Sequence, residues 1–400
     1  MFTQYEPGQP VASGDIPLSA PVLRGNEWRY IKDCLDTNWV SSVGAYVERF
    51  EQMVAAYVGT RYAVAMVNGT AALHMALLVA GVEPEDEVLV SALTFIAPAF
   101  AIRYAGAWPV MVDAEPDYWE MDTNAAADFL DKGCRWTAGA LINRGTGRRV
   151  RAILPVHILG HPVDMAPLQA LAQKYGLALI EDATESLGAN YRGQKTGALS
   201  DAACFSFNGN KIITTGGGGM LVTDNEAWAK RARYLATQAK DDSLEYIHGA
   251  VGYNYRLTNL QAAMGCAQME QLDSYVAAKR AIADNYRRAL AEAPGVTPMR
   301  EAEWAFSSHW LFTVLVDPEA YGQDSRALLR ALGEAGIQSR PLWHPLHRNP
   351  VFAGLPVVGG QVSERLNRQA LSLPCSVDLS PEAQGRVTEA ICLGAREVIR

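Results

Sequence analysis

Short apolar runs of strand length recur along this chain at Ala63–Val67, Glu87–Val90, Trp108–Asp113, Ala152–Val156 and Leu177–Asp182. Between them lie stretches with helical spacing or strong helix propensity, Ala71–Ala80, Ala97–Tyr104 and Met165–Tyr175. This alternation predicts a largely parallel sheet with helices on both faces. Upstream, Glu27–Leu35 and Tyr46–Tyr57 read as helices, the second with Val47, Phe50, Val54 and Tyr57 on one face. A loop over Trp39–Gly44 joins them, and the Pro-, Gly- and Ser-rich stretch up to Pro21 reads as extended. The polar stretch 131–151 interrupts the alternation and predicts a short hairpin or surface loop.

Two further strands, Ala202–Phe207 and Met220–Thr223, flank the turn Asn208-Gly209-Asn210, a single Lys211 and the run Gly216–Gly219. A helix over Glu226–Leu235 follows. Thr258 or Asn259 then caps one long helix predicted from Gln261 into the 290s. That helix bridges to a second domain with a strand at His309–Val316 and a helix at Ser325–Ala335. The expected division is a large domain over 1–267 and a smaller α/β domain over 268–400.

Length supports this division, since 400 residues exceed one ordinary core. A formal net charge of -8 without a basic block points away from nucleic acid. The densest basic patch, Arg148-Arg149-Val150-Arg151, runs straight into an apolar strand. Six scattered cysteines without a CxxC fit reduced thiols. Neither a signal-peptide pattern after Met1 nor a membrane-length apolar run occurs. The expectation is a cytoplasmic protein, off membranes.

The candidate chemistry centres on Lys211. A lysine delivered by a turn between two strands and polyglycine is poorly placed to be a solvated charge. Desolvation disfavours its ammonium form and makes the amine nucleophilic near neutral pH, which suits a Schiff base. A surface hairpin with lysine at its tip is the competing reading. The glycines let the backbone pass close to something flat or bulky. Asn68-Gly69-Thr70 lies between a strand and a helix start, where free amides favour a phosphate, although a Thr there is also an ordinary cap.

Asp182 ends a strongly apolar strand, where ligands of open α/β sheets bind, and a carboxylate there can pair with a protonated ring nitrogen. Glu185 points into the same space or into solvent. Phe95 follows a strand end and could stack on an aromatic ring. The His157/His161 and His344/His347 pairs lack an acid-bearing ligand set, so no metal is expected; His157, beyond a strand end, is a candidate substrate contact. A phosphate cup, a strand-end aspartate and a buried lysine, in that order, are the handles pyridoxal phosphate needs.

At this point the sequence resembles the DegT/DnrJ/StrS sugar aminotransferases, fold-type-I enzymes that use pyridoxal phosphate. The resemblance runs through Ile16–Ser19, Asn38–Gly44, Asn68–Leu73, Thr94–Ala97, Pro155–His157, Glu181–Ala183, Ser206–Gly219 and Asn254–Leu257. It implies Lys211 as the Schiff-base lysine, Asp182 as the ring-nitrogen partner, Phe95 stacked on the ring, and Gly69, Thr70 and Ser206 on the phosphate. Glu185 joins this cofactor set. Asn254 would reach the phosphate from the partner subunit of a homodimer whose active site lies at the interface. Arg256 is implied for the amino donor's carboxylate, and Trp39, His157, His309 and His344 for the sugar nucleotide.

The Gly-Asn-Lys-Ile-Ile-Thr-Thr run, Glu-Asp-Ala-Thr-Glu-Ser and the 131–151 insertion resemble the LegC branch. That branch implies glutamate as donor and C4 of a UDP-linked 4-keto-6-deoxy-N-acetylhexosamine as acceptor, on the way to legionaminic- or bacillosamine-type sugars of surface polysaccharides. Two rivals are a deoxysugar dehydratase, whose relatives carry histidine where Lys211 stands, and a non-catalytic regulator that binds the cofactor.

Overall fold

The protein is described by a computed structural model covering residues 14–397 other than 243. The opening of the extended N-terminal stretch expected up to Pro21 therefore lies outside the described residues.

Seven chain-ordered strands build most of the central sheet: β1 (Tyr62–Met66), β2 (Glu87–Ser91), β3 (Trp108–Val112), β4 (Val150–Leu154), β5 (Ala178–Asp182), β6 (Ala202–Ser206) and β7 (Gly219–Thr223). The second half of the chain adds β8 (Val296–Pro298), β9 (Phe312–Val316), β10 (Arg340–Pro341), β11 (Val357–Val358) and β12 (Ala370–Leu373). The central order is β1-β7-β6-β5-β4-β2-β3-β11, and only β7 runs against the rest. The fold is α/β, a mainly parallel sheet flanked by helices, as the alternation predicts.

The sheet is buried on both faces because its strands are apolar at successive positions. In β1, Ala63 and Ala65 face one core while Val64 and Met66 face the other. The first core packs under Ala45–Val58, Asn259–Met269 and Leu272–Ala289; the second lies under Gly69–Val79, Ala97–Tyr104 and Glu226–Ala236. All strands but β7 end at the same edge, so the residues after β1, β2, β5 and β6 converge there.

A smaller antiparallel sheet, β8-β9-β12-β10, forms in the second half. The halves interlock rather than meeting at one boundary. β11 joins the large sheet beside β3, and Ala305–Phe306 pairs with Asn190–Tyr191. Near the start of the chain, Ile16 bridges Ile337 and the Leu18 carbonyl accepts the Cys375 amide at 2.8 Å. Sequence distance concealed these returns, since each uses only two residues.

Two expected elements differ. The long helix from Gln261 is instead two, Asn259–Met269 and Leu272–Ala289, broken at Glu270–Gln271. There the Glu270 carboxylate is gripped by Asn26 Nδ2 and Tyr30 Oη at 2.7 Å and Arg49 at 3.0 Å, which fixes the first helix's end. Thr258 supplies the cap through a capping box with Gln261. The strand expected from His309 begins at Phe312, because His309 takes a left-handed φ of 47° and turns the chain. The 131–151 stretch does form a hairpin, Cys134–Thr137 against Ala140–Asn143.

Candidate active site

At the strand-end edge lies a cleft of about 260 Å³, lined among others by Gly69, Thr70, Phe95, Glu185, Ser206 and Lys211. One wall is a cradle for an anion. Asn68 leaves β1 extended, and its Oδ1 accepts the Ala71 amide at 2.8 Å. Asn68 is thus the cap, not Thr70, and Thr70 keeps its hydroxyl for the cleft. Among the described residues the Gly69 and Thr70 amides donate to nothing, and they stand at the positive end of the helix Gly69–Val79. A Cβ on Gly69 would stand 2.9 Å from Ser206 Cβ, filling the cradle.

The glycine run answers to the chain's own turn. Gly219 pairs with Met66 on one side and Ser206 on the other. A Cβ there would come within 2.4 Å of the Asn68 backbone. Gly216, with φ of 78° and open space around it, serves the turn instead.

Lys211 hangs from a turn closed by its amide on the Asn208 carbonyl at 3.0 Å. Its Nζ lies 3.8 Å from Glu185 Oε1 and 3.9 Å from the centroid of the Trp310 ring. Burial pushes the amine below the ordinary lysine pKa, against the pull of Glu185 and Asp182. Asp182, 2% exposed at the end of β5, accepts the Thr184 amide at 3.1 Å. Burial raises its pKa, while Thr184 and the charge of Lys211 act in the opposite direction. Glu185 points into the cleft, not into solvent; burial lifts it to about 7 although its Oε2 accepts the Leu159 amide at 2.7 Å. An amine whose ammonium form burial disfavours, beside a carboxyl poised near neutrality, is equipped for nucleophilic attack and proton transfer.

Phe95 is 52% exposed and forms the open wall, its ring edge-on to Trp343 at 5.5 Å. The remaining candidates lie elsewhere in this chain. His157 is wholly buried, its Nδ1 accepting the Val163 amide and its Nε2 donating to Glu181 at 2.9 Å, so it has no ring nitrogen for a substrate. Arg256 is held at 2.7 Å by Glu51 and at 3.3 Å by the Ala65 carbonyl, which places its guanidinium behind β1 rather than in the cleft. His309 is buried beside Arg287 at 3.1 Å and does not line the cleft. Trp39 and His344 are exposed outside the lining, His344 adjoining the lining residue Trp343. Asn254 is exposed and away from this chain's own cleft.

Sequence reasoning missed Trp310 and Trp343. Trp310 sits in an apolar run that reads as strand core, and its neighbour His309 drew attention instead. Trp343 lies between Pro341 and Pro345, and that pair of prolines marks a loop held in one shape.

Among the described residues no cluster of three or more His, Cys, Asp or Glu is set to hold a metal, and no helix is long and apolar enough to cross a membrane. The sequence model of the DegT/DnrJ/EryC1/StrS aminotransferase family matches residues 21–392. The chain belongs to this family. It is 40% identical over 377 residues to a GDP-perosamine synthase of Caulobacter vibrioides, covering 94% of this chain and 97% of that one. It is 35% identical over 355 residues to a pleiotropic regulatory protein of Geobacillus stearothermophilus, with 87% and 89% covered. Among solved structures it superposes with a TM-score of 0.86 on DesI in the presence of its TDP-sugar product, at 28% identity, with 98% and 96% covered.

Aminotransferases of the DegT/DnrJ/EryC1/StrS family use pyridoxal phosphate. The cleft fits that group on its own terms. A Cβ on Gly69 would crowd Ser206, two amides there are free, and Lys211 and Glu185 share the cleft with the charge of Asp182 acting on the amine from behind it.

Proposed function

We propose that this chain moves an amino group from glutamate to C4 of a nucleotide-linked 4-keto-6-deoxy sugar. The observation that carries the reading is the meeting of Lys211 and Glu185 in one cleft beside the unpartnered amides of Gly69 and Thr70, with Asp182 behind the lining and close enough for its charge to act on Lys211. Gly69, Thr70 and Ser206 would hold the cofactor's phosphate, Asp182 its ring nitrogen, and Phe95 and Glu185 its ring and ring substituents. Bound pyridoxal phosphate supplies an electron sink and carries nitrogen between the two substrates.

The chain's own residues do the rest. Lys211 Nζ takes a proton from Cα of glutamate in the first half-reaction and delivers one to C4 of the sugar in the second. Trp310 covers one side of Nζ and keeps water from it. Asp182, buried behind the cleft wall, would pair with the protonated ring nitrogen, a partner that offsets the burial now disfavouring its carboxylate. Asn254, exposed and outside the lining of this cleft, suits a homodimer in which it completes the partner's phosphate site.

The test is spectroscopic and then chemical. Purified protein should show a visible band that glutamate removes and that Lys211→Ala lacks before any amine is added. No band after incubation with pyridoxal phosphate would overturn the reading. The LegC-like resemblance selects a UDP-linked N-acetylhexosamine derivative, whereas the relative at 40% identity is named for a GDP sugar. Amine formation from UDP-, GDP- and TDP-linked 4-keto-6-deoxy sugars, compared by kcat/KM, decides between them. A band that ignores glutamate and every keto sugar would favour the cofactor-binding regulator.

A further inference from the structure

Lys279 lies in the helix Leu272–Ala289, 2% exposed, with no carboxylate partner among the described residues. Burying an unpaired ammonium is among the costlier things a fold can do, and a methionine of similar length would avoid that cost. What Lys279 touches gives the reason for it. Its Nζ donates to the Trp310 carbonyl at 2.9 Å and to Ser19 Oγ at 3.4 Å, with Cys375 Sγ at 3.7 Å.

Both acceptors lead to one atom. Ser19 Oγ donates to the Asn210 carbonyl at 3.2 Å, and Trp310 Nε1 donates to the same carbonyl at 2.7 Å. Asn210 immediately precedes Lys211, and the ring of that same Trp310 covers Lys211 Nζ. A single buried amine therefore ties an N-terminal segment, a strand entry of the small sheet and the turn that carries Lys211.

We propose that Lys279 is a positioning residue for Lys211, acting through two arms, Ser19 and Trp310, that meet on the Asn210 carbonyl. This rests on the reading of Lys211 as the lysine that links to the cofactor. A lysine that merely tied the fold together would affect stability without changing the surroundings of Lys211. The Ser19 segment has other anchors, the Leu18 carbonyl on the Cys375 amide and the Ala20 amide on Ser376 Oγ at 2.9 Å. Losing Lys279 thus loosens the turn rather than freeing the segment.

The test uses the full-length chain freed of cofactor. Lys211 is reductively methylated with formaldehyde and cyanoborohydride, the hydride donor, across a range of pH, and its labelling is followed by peptide mass spectrometry. Glu185 and Asp182, the charged groups facing Lys211, are kept in every variant. In Lys279→Met, water reaches the amine, the labelling midpoint moves up toward the ordinary lysine value, and the intrinsic rate at neutral pH falls about threefold or more. Ser19→Ala and Trp310→Phe shift the midpoint the same way, and each combines with Lys279→Met less than additively.

A folded Lys279→Met with the wild-type midpoint overturns the proposal, as do fully additive double variants. If Lys279→Met does not fold, Ser19→Ala decides, since it breaks one arm only: a raised midpoint supports the proposal and an unchanged one overturns it. Labelling needs no cofactor, so this outcome is separate from the spectrum of Lys211→Ala, which tests the reading beneath it.

Discussion

Glu185 Oε1 stands 3.8 Å from Lys211 Nζ while its other oxygen is anchored on the Leu159 amide. Its carboxyl is thus aimed and fixed, with burial lifting its pKa to about 7 from the ordinary glutamate value of 4.5. A carboxyl raised on folding stabilises the fold fully below its unfolded pKa and loses that contribution as pH rises through the folded value. In the cofactor-free chain, the window runs from about 4.5 to about 7. Glu185→Gln, neutral throughout, should gain on the wild type across that window, by about 3 kcal/mol in all, and no further above it. Thermal midpoints of both proteins from pH 5 to 8 check this; parallel curves would refute it.

Asp182→Asn keeps the shape of the side chain and removes its charge. Because burial already disfavours the Asp182 carboxylate, the variant should melt at or above the wild-type temperature. Turnover should fall by about 10²-fold or more, since the group that would partner the cofactor's ring nitrogen is lost. Calorimetry beside a steady-state assay separates the two effects. A destabilised variant with unchanged turnover would count against the assigned role.

Gly219→Ala would push a Cβ within 2.4 Å of the Asn68 backbone, which a flexible side chain cannot relieve. The strand β7 and the Asn68–Thr70 turn must then part, at a cost of about 1–3 kcal/mol. Because that turn forms the anion cradle, affinity for pyridoxal phosphate should fall alongside stability. Titrations of cofactor into both proteins, followed by absorbance, measure it.

Arg256 and Arg233 share the buried Glu51 carboxylate, at 2.7 and 2.8 Å. Removing Arg256 leaves Glu51 with only the half-exposed Arg233 as its partner and frees one of its oxygens. Arg256→Gln should lower stability by about 1–2 kcal/mol. The folded enzyme should keep its KM for glutamate within about twofold, because the guanidinium is not in the cleft. A KM that rises tenfold with stability intact would restore Arg256 to the amino donor.

Much of this architecture was legible in the chain before any coordinates. The strand–helix alternation from Ala63 to Asp182 fixes a parallel sheet because both its faces must be covered. The order of Gly69–Thr70, Asp182 and Lys211, each after a strand, places them at one edge. Two candidates, His157 and Arg256, carry the right chemistry at the right place in sequence, yet their polar groups are engaged by Glu181 and Glu51; Trp310 and Trp343 escaped notice because they return to the cleft from the far half of the chain.

By itself the sequence determined the sheet, the edge where its loops gather, and the residues that bring reactive groups to that edge. Those follow from local periodicity and turn chemistry, which act over a few residues. Only the tertiary structure decided which polar groups are left free to act. Trp310 reaches Lys211 across 99 positions, and Ser19 reaches Asn210 across 191. Such pairings are set by how the second half folds back on the first, and no local pattern encodes them.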